Sequence, residues 1–211
     1  MEIIMIAIID YGAGNVRSVQ KALKFIGAEC EITNDKDKIM NADGAILPGQ
    51  GAFGDCISSI RSREIESTVK DFMNSGKPFL GICVGLQLLF EESEENEGVE
   101  GLSVFKGKIK RIPNGEGLKI PHMGWNSLEL RDKSGIFKGI SDKPYVYFVH
   151  SYYLDAEDKS IVSAQTEYGV KIDAAVSSGN VFATQFHPEK SGDVGLQILR
   201  NFVEMSENNV R

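Results

Sequence analysis

A cysteine in a glycine-rich turn is the sharpest chemical signal in the sequence. The run Gly81-Ile82-Cys83-Val84-Gly85 has the form of the nucleophile elbow G-x-S-x-G, with cysteine in place of serine. It lies between a strand-like and a helix-like segment, where glycines leave room for a tight turn. A helix N-terminus below the turn favours a thiolate. We therefore predict that Cys83 is a nucleophile; the alternative is a buried core cysteine.

A histidine and a glutamate near the C-terminal end supply the other groups that a cysteine nucleophile needs. In Gln185-Phe186-His187-Pro188-Glu189 the two are separated by one residue, so they face the same side of an extended segment. A neighbouring carboxylate fixes the tautomer of an imidazole and favours its protonated form. We predict that His187 is the base and Glu189 its orienting partner. His122 and His150 rank lower, because neither has a carboxylate two residues away.

A second glycine-rich run offers backbone donors for a developing negative charge. Glycines in Pro48-Gly49-Gln50-Gly51 let backbone N–H groups approach an anion closely. The predicted oxyanion donors are Gly49, Gln50 and Gly51, together with the N–H of Val84 after the nucleophile. Taken alone, this run is more typical of an ordinary turn from a strand to a helix.

The elements that position these residues alternate between strand and helix in the first half of the chain. Strand signals fall at 3–9, 29–33, 45–47 and 78–82, with further strand-like pieces at 104–112, 145–149, 161–166, 172–176 and 181–186. The alternation predicts an α/β fold with a mostly parallel central sheet flanked by helices and additional strands in the second half. In such sheets ligands bind at the C-terminal strand edges, where Gly49 and Cys83 both fall. We expect 1–211 to form one domain, with a solvated acidic loop at 91–100 and a final helix at 194–205.

Composition narrows the possible functions. The 211 residues are 42% hydrophobic and carry a formal net charge of −7 without a basic block, so nucleic acid is not an expected partner. The N-terminal apolar run is too short to cross a bilayer. Three cysteines with no CxxC motif predict no disulfide framework, no metal site and a reducing cytoplasm, and we interpret Cys30 and Cys56 as structural. No cofactor is expected.

Taken together, these motifs resemble the class I, triad-type glutamine amidotransferases over nearly the whole chain. Within that class the sequence most closely resembles the glutaminase subunits of imidazole glycerol phosphate synthases. The narrower resemblance depends on Asp10-Tyr11-Gly12-Ala13-Gly14-Asn15, Leu47-Pro48-Gly49, Gly51-Ala52-Phe53, Gly81-Ile82-Cys83, Gly85, Gln87, Pro121-His122-Met123-Gly124-Trp125-Asn126, Tyr147-Phe148-Val149-His150-Ser151-Tyr152 and Gln185-Phe186-His187-Pro188-Glu189. The Pro-His-Met-Gly-Trp-Asn run discriminates best. Gln50 departs from the family, which often has valine there.

The resemblance implies a role for each matching residue. Cys83 attacks the glutamine carboxamide, His187 passes a proton to the leaving ammonia and then activates water, and Glu189 orients His187. The implied contacts to bound glutamine are Gln87, Glu95, Gly49, Ser151 and Tyr152. A solvated position in the acidic loop is an equal alternative for Glu95.

The resemblance also implies a protein partner. In this family ammonia passes to a separate cyclase subunit with a (β/α)₈ barrel fold, which makes imidazole glycerol phosphate and AICAR in histidine biosynthesis. The chain would then work as half of a heterodimer. The positions expected near the interface are His122, Met123, Trp125, Asn126 and Tyr147.

Two other functions remain open at this point. The same triad would serve another glutaminase, such as the subunit of pyridoxal phosphate synthase or a free-standing γ-glutamyl hydrolase, but the Pro-His-Met-Gly-Trp-Asn run speaks against both. A non-catalytic regulatory subunit is the second alternative. The complete set of Cys83, His187 and Glu189 weighs against it.

Overall fold

A large central sheet organises residues 4–209, which the structure, a computed structural model, describes. The strands are β1 (Met5–Ile9), β2 (Glu29–Thr33), β3 (Gly44–Gly49), β4 (Phe79–Cys83), β5 (Glu92–Ser93), β6 (Gly107–Arg111), β7 (His122–Ser127), β8 (Glu129–Leu130), β9 (Tyr145–His150), β10 (Tyr152–Ala156), β11 (Val162–Glu167), β12 (Lys171–Ser178) and β13 (Val181–Thr184). The helices are α1 (Val16–Phe25), α2 (Lys36–Asn41), α3 (Phe53–Ser62), α4 (Glu66–Asn74), α5 (Val84–Gln87) and α6 (Gly192–Asn209). Residue 3 of the predicted first strand lies outside the described part.

The central sheet has eight strands in the order β2-β1-β3-β4-β13-β12-β11-β8. Neighbours from β2 to β13 run parallel, whereas β12, β11 and β8 extend the sheet with antiparallel pairings. The parallel strands β3 and β4 are buried along their whole length, as expected for strands covered on both faces. The predicted α/β class with a mostly parallel sheet flanked by helices is confirmed.

Two smaller sheets contain the remaining strands. One has the order β10-β6-β5, and the other is a two-stranded antiparallel ribbon of β7 and β9, hereafter the ribbon. Four strands have no counterpart in the sequence-based prediction: β5, β7, β8 and β10. In β7 buried and accessible positions mix with a glycine and an asparagine, so no continuous apolar run marks it.

Helix α5 is shorter than the sequence suggests. The apolar residues that follow it, Leu88 to Phe90, favour a continued helix, yet α5 ends at Gln87. The carbonyl groups of Leu88 and Leu89 instead accept hydrogen bonds from the backbone N–H groups of Leu102 and Val104. A backbone segment distant in the sequence therefore takes the acceptors that further helical turns would use.

The final helix is longer than predicted, since α6 spans Gly192–Asn209 rather than 194–205. Its buried side chains include Ile198, Leu199 and Phe202, which join the main core. Among the helices of residues 4–209, none combines the length and apolar character needed to cross a membrane.

Candidate active site

Cys83 lies at the end of β4 in a strained backbone conformation. Its φ of 57° and ψ of −109° place a non-glycine residue in a region that L-residues avoid. Close approaches on both sides explain the flanking glycines. A Cβ on Gly85 would lie 1.9 Å from the Leu47 carbonyl oxygen, and one on Gly81 would lie 2.7 Å from the Gly85 oxygen. The turn can therefore form only where side chains are missing at both positions.

The strand order brings the distant segments to one rim. Gly49, the last residue of β3, is the register partner of Cys83 in β4. On the other side of β4, Thr184 of β13 pairs with Ile82, so the chain leaving β13 passes directly by Cys83. The C-terminal ends of three parallel strands thus meet at the nucleophile, which is the location that this sheet type provides for a ligand site.

His187 and Glu189 form a buried ion pair behind the cysteine. The imidazole Nδ1 lies 2.8 Å from Glu189 Oε1, and the two side chains are only 4% and 1% exposed. The other ring nitrogen is free to face Cys83, and interaction with this cysteine helps to raise the pKa of His187. The backbone N–H of His187 donates to the Tyr147 carbonyl at 3.0 Å, so the ribbon also holds this residue in place.

The pKa of His187 is set by two opposing effects, burial and the neighbouring Cys83 and Glu189. Burial lowers the pKa, but the hydrogen bonds and charges of Cys83 and Glu189 outweigh it and raise the pKa to about 9. His187 is therefore an imidazolium at neutral pH, paired with the sulfur on one side and the carboxylate on the other. That state favours a thiolate and holds a proton ready for a leaving group.

The loop after β3 lies over the nucleophile. Gln50 and Gly51 line the cavity and are exposed, whereas Gly49 is buried against α5, where a Cβ would lie 2.6 Å from the Val84 Cβ. The Gln50 carbonyl accepts a hydrogen bond from the Cys56 thiol at 3.7 Å. Val84 begins α5, so its N–H is one of the first-turn donors without a partner inside the helix.

The acidic segment that was expected to be a solvated loop caps a helix instead. Helix α3 has Ala52 at its N-cap and no side-chain cap of its own. Glu95 Oε2 accepts the Phe53 N–H at 2.8 Å, and Asn96 Oδ1 accepts the Gly54 N–H at 2.8 Å. These two side chains satisfy orphan donors of the first turn of α3, and they place Glu95 at the cavity edge.

A cavity of about 270 Å³ opens above Cys83. Four of the five residues that were expected to bind substrate line it, and Gly49 does not. The lining also contains residues that the sequence did not indicate. Its lining is Gln50, Gly51, Cys83, Val84, Gln87, Glu95, Pro121, Val149, His150, Ser151, Tyr152, His187 and Lys190. Among these, Lys190 directly follows the run from Gln185 to Glu189. This position was the one sequence signal that could have indicated Lys190 as a cavity residue.

The two other histidines bond to each other rather than to the cysteine. His122 Nδ1 lies 3.0 Å from His150 Nε2, and His150 Nδ1 donates to the Tyr152 carbonyl at 2.9 Å. Burial lowers the pKa of His122 to about 4 and that of His150 to about 3, so both rings are neutral at pH 7. Within residues 4–209 no group of three or more His, Cys, Asp or Glu side chains is arranged to hold a metal ion.

The ribbon exposes one apolar face. Met123, Trp125 and Tyr145 are 62%, 55% and 60% exposed, and Tyr147 is half-buried beside the Trp125 ring. The His122 side chain does not belong to this outer face, because strand alternation turns it inward and leaves the residue 3% exposed between Tyr168 and Phe148. Its position near an interface stays a prediction. Asn126 is half-buried, and its side-chain NH₂ group donates to the Glu167 carbonyl at 2.9 Å. Tyr145 was not predicted, since it lies two residues before the run from Tyr147 to Tyr152 and is not part of it.

The fold and this site together define a class. The family model of class-I glutamine amidotransferases matches residues 7–205, and the chain belongs to that family. Solved structures agree with this fold: the chain superposes on PurLQS from Thermotoga maritima with a TM-score of 0.76 at 22% identity, covering 100% of both chains. A second structure, of a glutamine amidotransferase, gives a TM-score of 0.74 at 22% identity over 95% of this chain and 98% of that one.

Curated relatives narrow the class to one family. The chain is 52% identical over 201 residues to the imidazole glycerol phosphate synthase subunit HisH of Caldanaerobacter subterraneus subsp. tengcongensis, covering 95% of this chain and 98% of that one. It is 50% identical over 198 residues to the HisH subunit of Bacillus cereus, covering 94% and 93%. Within its class the chain is therefore a member of the HisH family.

Proposed function

We propose that this chain is the glutaminase subunit of an imidazole glycerol phosphate synthase and hydrolyses L-glutamine through Cys83, His187 and Glu189. The observation that carries the proposal is the arrangement of Cys83, His187 and Glu189 at the C-terminal edge of the sheet. A strained cysteine meets an imidazolium, which in turn is held at 2.8 Å by a buried carboxylate. That set supplies a nucleophile, a proton carrier and an orienting group, as acyl transfer through a cysteine requires.

In the first half of the reaction the Cys83 thiolate attacks the carboxamide carbon of glutamine. The oxygen takes up negative charge and is stabilised by N–H donors of Val84 and of the loop from Gly49 to Gly51. His187 gives its proton to the amide nitrogen, the C–N bond breaks, and ammonia leaves. The products of this half are ammonia and a γ-glutamyl thioester on Cys83.

In the second half His187 acts as a base. Now neutral, it takes a proton from water while the water oxygen attacks the thioester carbonyl carbon. The C–S bond breaks, glutamate is released, and the thiolate–imidazolium pair is restored. Glu189 keeps Nδ1 protonated throughout, so that the other ring nitrogen is the one that exchanges the proton.

Glutamine binding fits the cavity. Gln87 and the backbone of Ser151 and Tyr152 line it, with Glu95 at the edge. The carboxylate of Glu95 accepts one hydrogen bond from Phe53 through Oε2, which leaves Oε1 for the α-ammonium group of the substrate. No cofactor is needed for this chemistry.

We further propose that the partner is a cyclase subunit with a (β/α)₈ barrel fold and that it docks on the exposed ribbon face around Met123, Trp125 and Tyr147. Aromatic and Met side chains are enriched in interface cores, and the ribbon continues into the cavity lining through Val149 and His150. Ammonia would then leave toward the partner, in a cytoplasmic heterodimer in which 1–211 acts as one domain.

The test is a Cys83→Ala variant assayed together with the cyclase subunit. Glutamine-dependent synthesis should fall by at least about 1,000-fold, because the nucleophile is removed. Synthesis from added ammonium salt should be unchanged. Cys30→Ala is the matched control, since Cys30 lies on β2, away from the cavity, and should retain both activities. Loss of ammonia-dependent synthesis in Cys83→Ala would make the cysteine structural.

A further inference from the structure

A buried amide contacts the proposed nucleophile and has no part in the chemistry described so far. Gln185 follows β13, is 0% exposed, and its backbone N–H donates to the Ala174 carbonyl at 2.8 Å. Its side-chain Nε2 lies 3.7 Å from the Cys83 sulfur, and its Oε1 lies 3.0 Å from Gln87 Nε2. The sulfur therefore has two side-chain neighbours that can donate to it, His187 and Gln185.

The hydrogen bonds fix which end of this amide faces the sulfur. Gln87 Nε2 also donates to the Tyr152 carbonyl at 3.0 Å, and a carbonyl can only accept. If the Gln87 amide were turned around, its oxygen would face that carbonyl and lose the bond. Gln87 must therefore present its NH₂ group to Gln185, and Gln185 must accept that hydrogen bond with Oε1. The NH₂ group of Gln185 is left to point at Cys83.

We propose that Gln185 is a positioning residue that holds the Cys83 sulfur by an N–H···S hydrogen bond and stabilises its thiolate form. A thiolate accepts hydrogen bonds more strongly than a thiol, so a fixed N–H donor favours the anion. The inference rests on the proposed role of Cys83 as the nucleophile.

The two side chains that can donate to the sulfur, His187 and Gln185, have different roles in the reaction. His187 must turn its proton toward the leaving nitrogen, and its bond to the sulfur weakens as it does so. Gln185 transfers no proton and is held from behind by Gln87, so it keeps the sulfur in place through both halves of the reaction. Because Gln87 also lines the cavity, the amide pair joins substrate binding to the nucleophile.

The test follows the reactivity of Cys83 with pH. Alkylation by iodoacetamide tracks the thiolate, and mass spectrometry assigns the label to Cys83. In Gln185→Met, which keeps the side-chain length but removes the donor, the midpoint of the alkylation profile should rise by roughly one pH unit. The titratable groups that interact electrostatically with the sulfur are the same in both proteins: His187, Tyr11 and Cys56. Glu95, His150 and Lys190 lie in the shared cavity lining.

Two further variants keep the result interpretable. Gln185→Glu retains the acceptor for Gln87 but turns an oxygen toward the sulfur, so its midpoint should rise further than in the methionine variant. Gln165→Met is the matched control, because Gln165 is also a buried amide, on β11, and donates to Asp173 at 2.7 Å. Its midpoint should stay at the wild-type value.

The outcomes separate this inference from the proposed function. An unchanged midpoint in folded Gln185→Met, a fall in Gln185→Glu, or an equal rise in Gln165→Met would overturn the positioning role alone. If Gln185→Met does not fold, Gln185→Glu decides by the direction of its shift. If Cys83 of the unaltered protein takes up no label at any pH, the nucleophile assignment itself fails.

Discussion

The Cys83 side chain reaches the cavity because its backbone adopts an unfavourable conformation with a positive φ. Such a conformation costs about 1–3 kcal/mol. The glycines on either side make the turn possible, and the pairing of β3, β4 and β13 holds it. Each of the three proposed catalytic side chains stands within a local sequence pattern, which is why residue types and spacing were sufficient to select them. The Gln185–Cys83 and His122–His150 contacts could not be found this way, because no local pattern indicates which distant side chain each of these residues meets.

The raised pKa of His187 predicts how stability changes with pH. Its ordinary value is 6.5 and its folded value is about 9, so the folded protein binds the proton more tightly. The stabilisation is then complete below pH 6.5 and is lost as pH rises toward 9. The difference in unfolding free energy between the wild type and His187→Gln should shrink over this range by on the order of 1–3 kcal/mol.

Urea unfolding at pH 6.5, 7.5 and 9 measures this difference. His122→Gln is the control, because the folded pKa of His122 is lowered to about 4, so that only its unfolded state is partly protonated at pH 6.5 and neither state is protonated well above that pH. Its difference from wild type should change by less than about 0.5 kcal/mol across the same range. A His187 difference that is equally flat would mean that the imidazole is neutral in the resting protein.

At the scale of elements, the site depends on how closely α5 approaches β3. The backbone of Gly85 lies against Leu47 of β3, and Gly49 lies against Val84. The sequence predicted both glycine-rich runs and the parallel strands beneath them, because each is a local pattern. It did not predict that α5 ends after one turn, nor that Glu95 and Asn96 cap α3. Those features depend on backbone partners that come from other parts of the chain.

Replacing Gly85 by alanine tests this close approach. The new Cβ would lie 1.9 Å from the Leu47 oxygen, and backbone on both sides leaves it nowhere to move. We expect Gly85→Ala to lose several kcal/mol of stability or to fold with a displaced elbow and greatly reduced Cys83 labelling. Thermal unfolding and iodoacetamide labelling measure the two effects.

Gly98→Ala serves as the comparison for this substitution. Gly98 has a φ of 79° and open space around a Cβ, so its alanine variant should lose only the roughly 1–2 kcal/mol of the left-handed conformation. If Gly85→Ala lost no more than Gly98→Ala and labelled normally, close packing would not be what keeps the elbow in place.

At the scale of the whole molecule, the ribbon connects an exposed apolar face to the reacting groups. The Tyr147 carbonyl accepts the N–H of His187, and the Tyr147 N–H donates to Ser191 Oγ at 3.0 Å. The backbone of one ribbon residue therefore holds both ends of the turn that carries His187 and Glu189. Sequence reasoning selected Trp125 and Met123 for the outer face through the family resemblance, but which residues turn inward followed only from the strand register.

A substitution on the outer face of the ribbon should separate docking from chemistry. Trp125→Ala removes a large half-exposed ring that packs against Tyr147 and not against the cavity. We expect the affinity for the cyclase subunit to fall by about 10- to 100-fold, as for a central aromatic anchor, while iodoacetamide labelling of Cys83 in the isolated chain stays at the wild-type rate.

Phe25→Ala is the matched control, because Phe25 is 75% exposed on α1 and should leave the affinity unchanged. Calorimetric titration of each variant with the cyclase subunit measures this, and equal losses for the two variants, or none for Trp125→Ala, would move the docking surface away from the ribbon.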